Sequence, residues 1–254
     1  MSVLRIQNLA KEFDGIKAVD DLSLEVEDNS VVALVGPNGS GKTTIFNLVT
    51  GFLRPDNGRV FLNGKNITPL SPYRISRLGI GRTFQNIRLF PQISVLDNVM
   101  LGLKYDAGEG FWAALFQTRR MKKEEESNRK KAEEILKLVG LGEKRNELAE
   151  NLSHGQRKLL ELARILALDP KVFLLDEPFA GLFPETRKFM LDFLKNLKAK
   201  GKTILFIEHN VGTVKGLAER VIVLNEGKKI AEGTPEEVRE NEEVRRVYLG
   251  KANL

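Results

Sequence analysis

Four short stretches carry side chains suited to chemistry on phosphate: GPNGSGKTT at 36–44, LSHGQRK at 152–158, FLLDEP at 173–178 and IEH at 207–209. The first satisfies G-x-x-x-x-G-K-[ST] through Gly36, Gly41, Lys42 and Thr43. Its glycines let backbone N–H groups turn inward around phosphate oxygens. Lys42 is placed to reach β- and γ-phosphates, and Thr43 to offer a hydroxyl to Mg2+. The candidate phosphate-binding set is Gly36, Pro37, Asn38, Gly39, Ser40, Gly41, Lys42, Thr43 and Thr44. VVALV at 31–35 reads as a buried strand in front of the loop, and TTIFNLVTGFL at 43–53 as a helix behind it. The first N–H groups of that helix add an anion site. A glycine-rich turn joining strand to helix is the plainer account of the glycines alone. Lys42 and Thr43 in register favour the phosphate reading, which leaves open the kind of nucleotide.

FLLDEP ends an apolar run in Asp176 and Glu177. Ligands of open α/β sheets sit at the carboxyl ends of strands. Asp176 is therefore the candidate to orient Mg2+, directly or through water. Glu177 is expected to face the other side of the extended chain. It would polarise an attacking water, as general base or as positioner. A polar strand end turning at Pro178 is the alternative. LSHGQRKLLELARILAL at 152–168 reads as an amphipathic helix with Leu159, Leu162, Ala163 and Leu166 on one face and Ser153 at its start.

Other elements must position these stretches. VLRIQ at 3–7, LSLEV at 22–26, VFLLD at 172–176 and TILFIEH at 203–209 read as strands. RVFLNGK after the turn PDNG at 55–58 reads as a short strand and turn. RVIVLNEGKKIAEG reads as a hairpin around Glu226 and Gly227. Helices are expected over 72–82, over 96–103 with Ser94 as cap, over 121–141 with a stop at Gly140, and over 185–201. One charged helix is expected from Pro235 to the closing VYLG. No internal repeat is evident, so one such site per chain is expected.

The 254 residues include no cysteine, which removes disulfides and cysteine-held metals and fits a cytosolic setting. Two histidines are too few for a three-histidine metal site. The net charge of +6 arises from 40 basic and 34 acidic residues, a mild excess that suits an anionic surface or an ordinary solvated face. MSVLRIQNLAKEF has no continuous apolar core of a signal peptide, and no run approaches the roughly 20 apolar residues of a membrane span. No basic patch with an aromatic ladder points to nucleic acid. FWAALF at 111–116 lies in an insert, 104–128, open to three readings: partner-facing segment, lid or helical core.

The phosphate loop, TFQN at 83–86, LSHGQRK, FLLDEP and His209 stand in the order found in nucleotide-binding subunits of ATP-binding cassette transporters, which the chain resembles from about residue 4 to 249. Within that family it looks most like the ATPase subunits of branched-chain amino acid importers. The carriers are GIGRTFQNIRLFPQISVLDNVMLG at 79–102, the insert after it, FAGLFPE at 179–185, IEHN at 207–210 and VYLG at 247–250. The resemblance implies an α/β fold: a P-loop NTPase core of ATP-binding cassette type with an N-terminal antiparallel β subdomain and an inserted α-helical subdomain. One cassette would span 1–254, with core and β subdomain in 1–87 and 167–254 and the helical signature subdomain in 88–166.

The same resemblance implies ATP and Mg2+, with Mg2+ held among Thr43, Gln85 and Asp176. Glu177, His209 and Gln85 would form the hydrolytic set, and Phe13 would stack on adenine. Ser153, His154, Gly155 and Gln156 would complete the ATP site of a second, identical or homologous subunit. A serine at a helix start leaves first-turn N–H groups open to an anion, and glycine permits close approach. Two departures stand out. His154 replaces the usual glycine of the signature, and Phe183 replaces an aspartate, or the asparagine of the importer branch. Two integral membrane permease subunits and an extracytoplasmic solute-binding protein are the implied partners, at the cytoplasmic face of the cell membrane. The alternatives are an ATPase of another transporter, or a soluble one in DNA repair or translation. Against the last, Lys42 and Ser153 are 111 residues apart without a heptad array.

Overall fold

The computed structural model describes residues 2–103, 119–209 and 214–249. In chain order its first elements are β1 (Ser2–Phe13), β2 (Ile16–Glu27), β3 (Val31–Val35), α1 (Lys42–Val49), β4 (Asn57–Leu62), β5 (Lys65–Asn66), α2 (Pro72–Arg77) and β6 (Ile80–Arg82). Next come α3 (Val95–Met100), α4 (Arg119–Leu138), α5 (His154–Ala167), β7 (Val172–Asp176) and α6 (Pro184–Ala199). The last are β8 (Thr203–Glu208), β9 (Arg220–Asn225), β10 (Lys228–Gly233), α7 (Pro235–Glu240) and α8 (Glu242–Leu249). The chain divides into two compact units: 1–82 with 170–180 and 189–254, and 83–169 with 181–188.

The first unit holds both sheets. One is antiparallel in the order β2-β1-β4-β5, and the other runs β10-β9-β3-β8-β7-β6. In the second sheet β9, β3, β8, β7 and β6 are parallel, and β10 closes one edge antiparallel to β9. VVALV, VFLLD and TILFIE are buried at every residue. A continuous apolar run is what a strand covered on both faces requires. Ile45, Phe46 and Val49 of α1 pack in one cluster with Leu4, Ile6 and Leu24 of the antiparallel sheet and with Val32 and Leu34 of β3. Each such side chain stabilises the fold by about 1.5–3 kcal/mol. This cluster fixes where β3 ends and α1 begins, and so where the phosphate loop lies.

The second unit is helical. Ser94 caps α3 as expected, its Oγ accepting the Asp97 N–H at 3.0 Å. Ala132 and Leu136 of α4 are buried, and Gly140 ends that stretch at φ 74°.

Of the expected boundaries that differ, three have a visible local cause. Helix α1 stops at Val49 rather than 53 because the Thr50 hydroxyl donates back to Phe46 O at 2.6 Å and Gly51 turns left-handed at φ 73°. The helix over 72–82 ends at Arg77; Gly79 turns at φ 103° and Ile80–Arg82 joins the sheet beside Val172–Leu174. The closing helix breaks at Asn241, whose Oδ1 accepts the N–H groups of Glu243 and Val244 at 2.9 and 3.1 Å and starts α8. FWAALF, Asn210 and Gly250 lie outside the described residues.

Candidate functional site

The loop between β3 and α1 is braced by backbone. Gly41 caps α1 at φ 97°, and a Cβ there would lie 2.3 Å from Ala18 O. A Cβ at Gly36 would lie 2.3 Å from Leu224 O. The tip of the β9–β10 hairpin adds a further hold. The Gly227 N–H donates to Ser40 O at 3.2 Å, and the Asp20 N–H donates to Gly227 O at 3.0 Å. The sequence reads as a hairpin around Glu226 and Gly227, as found, but does not disclose that its tip binds the loop. The Lys42 ammonium lies inside the loop, donating to Gly36 O and Pro37 O at 2.8 Å each and to Ser40 Oγ at 3.3 Å. Asn38, Gly39 and Thr43 face solvent. Gly41→Ala is expected to destabilise the fold by about 2–4 kcal/mol, because the methyl meets backbone and the φ is left-handed. Gly39→Ala, with open space around its Cβ, is expected to lose only about 1–2 kcal/mol. Urea melts of the two variants check the contrast.

Asp176 closes β7 with its side chain fully buried, and its Oδ2 lies 3.9 Å from the Arg82 guanidinium. Arg82 also donates to Thr50 Oγ1 at 2.8 Å and lies over the Phe46 ring, 5.6 Å from its centroid. The sequence alone does not single out Arg82. Its signal is a lone cation at the end of GIGR, which becomes meaningful only once β6 pairs with β7. Burial pushes the Asp176 carboxyl up to about 6; Arg82, Lys42 and His209 pull it down, and Glu177 pushes it further up. The ordinary carboxylate value is 3.8, so the metal-free fold bears the burden of a buried charge once pH rises through about 6. Asp176→Asn is therefore expected to stabilise the nucleotide-free, metal-free protein by about 2–3 kcal/mol near pH 8. The gain should shrink toward zero as pH falls from about 6 to about 4. Chemical melts across that range read it directly.

Glu177 does not continue the strand. It sits at φ 49°, a left-handed conformation rarely held by a non-glycine residue, with its N–H donating to Ile207 O at 3.2 Å. Strand alternation therefore does not set its direction, contrary to expectation; this turn does. Its Oε1 lies 2.6 Å from His209 Nε2, and the glutamate side chain is mostly buried while the histidine is partly open. The phosphate loop, Asp176, Glu177 and His209 all belong to the first unit. Phe13 ends β1 in the same unit with 42% of its surface exposed, so it is not a core anchor. Lys11 Nζ stands 5.4 Å from its ring centroid. Thr43 and Asp176 offer only oxygen donors, the kind Mg2+ takes together with phosphate oxygens. A lysine-bearing loop of turned-in backbone beside them fits a nucleoside triphosphate.

The second unit carries the remaining candidates. Ser153 caps α5: its Oγ accepts the Gln156 N–H at 3.3 Å, and Gln156 Oε1 accepts the Ser153 N–H at 3.0 Å. Gln156 is thus half of a capping box, legible in S-x-x-Q yet not read from the sequence. His154 opens the helix with its ring against the backbone of Gly181, where a Cβ would lie 3.1 Å from Nε2. Gly155 faces Leu182 and Thr186, 3.5 and 3.4 Å from where its Cβ would stand. The segment that ends in Phe183 is therefore packed on the start of α5. Phe183 itself is 79% exposed, and Gln85 lies exposed in the irregular stretch before α3. Among the described residues no helix is long and apolar enough to cross a membrane.

A family profile described as "ABC transporter" matches residues 19–180. A second, "Branched-chain amino acid ATP-binding cassette transporter", matches residues 228–252. The "Probable branched-chain amino acid transport ATP-binding protein LivG" of Archaeoglobus fulgidus is 42% identical over 252 residues, covering 98% of this chain and 96% of its own. The "Lipopolysaccharide export system ATP-binding protein LptB" of Haemophilus influenzae is 37% identical over 251 residues, covering 99% and 98%. A crystal structure of a nucleotide-free ATP-binding cassette from an ABC transporter superposes with a TM-score of 0.85 at 37% identity, covering 98% of this chain and 99% of that one.

Proposed function

Because the chain belongs to the ABC transporter family, as one of its ATP-hydrolysing subunits, we propose that it powers uptake of branched-chain amino acids through separate membrane subunits. The observation that carries the chemistry is the end of β7, where Asp176 is buried beside Arg82 and Glu177 Oε1 stands 2.6 Å from His209. What supports the solute is the closing segment, since residues 228–252 match the profile of the branched-chain group.

In this reading two subunits face each other head to tail with two ATP molecules between them. The loop 36–44 and Lys42 hold the phosphates of one ATP, and Phe13 stacks on its base. Thr43 and Asp176, with Gln85 as the resemblance implies, would hold Mg2+, whose charge would offset that of the transferring phosphoryl group. Glu177 takes a proton from the attacking water or aligns it, and His209 fixes the carboxylate from the far side. The start of α5, Ser153 to Gln156, meets the γ-phosphate of the ATP held by the partner subunit. The second unit serves as the helical signature subdomain. ATP binding favours the closed pair by its added contacts, and hydrolysis removes them. The membrane subunits respond to that cycle, and an extracytoplasmic protein delivers the solute. The chain itself works at the cytoplasmic face and never touches the amino acid.

The test is affinity purification from gently solubilised native membranes, followed by reconstitution of the recovered complex in liposomes. ATP-dependent accumulation of radiolabelled leucine is the expected result. ATP-driven extraction of a lipopolysaccharide instead, or recovery with ribosomes or DNA alone, overturns it.

A further inference from the structure

Glu161 is a buried carboxylate that the mechanism above does not use. It lies on α5 eight residues beyond Ser153, with 6% of its surface exposed. Burial pushes its pKa up to about 7, opposed by hydrogen bonds from the Phe84 and Arg88 backbone and, more weakly, by the charges of Arg164 and Lys158. The Phe84 N–H reaches its Oε1 at 3.2 Å. One turn further along the same face, Arg164 donates to Arg88 O and lies over the Phe90 ring, 5.3 Å from its centroid. Arg88 folds over the Phe84 ring at 4.0 Å. The stretch from Phe84 to Phe90 has no regular secondary structure. Its N–H and C=O groups must therefore find partners elsewhere, and α5 supplies both kinds: a carboxylate for donors and a guanidinium for an acceptor. Asn98 holds the far end, its amide donating to Phe90 O at 3.0 Å and its Oδ1 accepting the Phe90 N–H at 3.0 Å.

Gln85 sits inside the gripped stretch. We propose that Glu161 and Arg164 are positioning residues, a two-handed clasp that ties the Gln85 loop to the helix whose other end carries the signature serine. The signature and Gln85 then move as one piece, because helix α5 is continuous from Ser153 to the clasp. A contact made at Ser153 is transmitted to Gln85 through two turns of helix rather than through loop. The proposal rests on the role given to Gln85 above.

Two measurements on the purified full-length chain test it. Hydrogen exchange followed by NMR reads the Phe84 and Arg88 amides. Glu161→Ala, and more gently Glu161→Gln, should raise their exchange about tenfold or more relative to the rest of the second unit. Unchanged protection of both amides overturns the clasp. The second measurement is a double-mutant cycle on ATP turnover. Glu161→Ala is expected to lower kcat about 10- to 100-fold with KM for ATP unchanged. In a Gln85→Ala background it should add nothing further. Losses that multiply in the double variant, while Gln85→Ala alone is impaired, overturn the clasp and leave the role of Gln85 standing. Full turnover by Gln85→Ala removes that role, and the proposal with it. Glu161→Gln, which keeps the shape of the side chain and one acceptor, should recover part of the lost kcat. A merely structural glutamate would show loss of stability with no dependence on Gln85.

Discussion

Glu177→Gln is expected to end steady-state ATP hydrolysis while leaving ATP binding intact. The side chain keeps its length and its contact with His209, now 2.6 Å from Oε1, so the local packing survives. What is lost is the ability to accept a proton. General base catalysis is worth about 10²- to 10⁴-fold, and the loss should fall in that range. It should appear in kcat, because in the proposed role the glutamate acts on the attacking water rather than on the bound phosphates. In the same proposal the phosphate loop binds ATP independently, through Lys42 and backbone. With hydrolysis blocked and binding preserved, the ATP-bound pair should accumulate. Size-exclusion chromatography with light scattering, with and without MgATP, would show a dimer for the variant at protein concentrations where the parent is mostly monomer. Turnover within about threefold of the parent would exclude Glu177 from the role of base.

Lys42→Ala should instead weaken nucleotide binding strongly. Lys42 is 5% exposed, and its ammonium is already held by Gly36 O and Pro37 O. Preorganised in this way, it meets a phosphate with little loss of side-chain freedom. Removing one partner of such a desolvated charge pair costs about 2–4 kcal/mol, or roughly 30- to 1000-fold in Kd. Lys42→Arg should not rescue, since a planar fork cannot occupy a site built around a compact ammonium. Calorimetric titration with MgATP gives the affinity, and a thermal melt of each variant shows that the fold is intact. A Kd within about threefold of the parent would mean that the loop binds phosphate through backbone alone.

The strands flanking the site were legible because their apolar runs are uninterrupted. VVALV and VFLLD begin and end where the sequence places them. The hairpin turning at Glu226 and Gly227 and the cap at Ser94 were legible for a similar reason: each is decided by a few adjacent residues. What could not be read locally depends on partners far along the chain. Ile80–Arg82 looks like a helix end, and only pairing with Val172–Leu174 makes it a strand and carries Arg82 to Asp176. The hold of Gly227 on Ser40 joins residues nearly two hundred positions apart. From the sequence alone Glu177 reads as extended because Asp176 does; its left-handed turn goes with the bond to Ile207 O on the neighbouring strand. Asn241 is a different case. Its capping signal is present in NEEV but was outweighed by the helical charge pattern around it.

The left-handed Glu177 bears on how this chain would behave under artificial selection. A backbone held there by a non-glycine residue stores about 1–3 kcal/mol. Glycine at that position would release it, and would also delete the carboxylate. A library screened only for heat tolerance should therefore enrich Glu177→Gly among its early winners, every one of them catalytically dead. Engineers seeking a sturdier transporter would need to couple each round to a growth requirement for uptake, or the site would be the first thing lost.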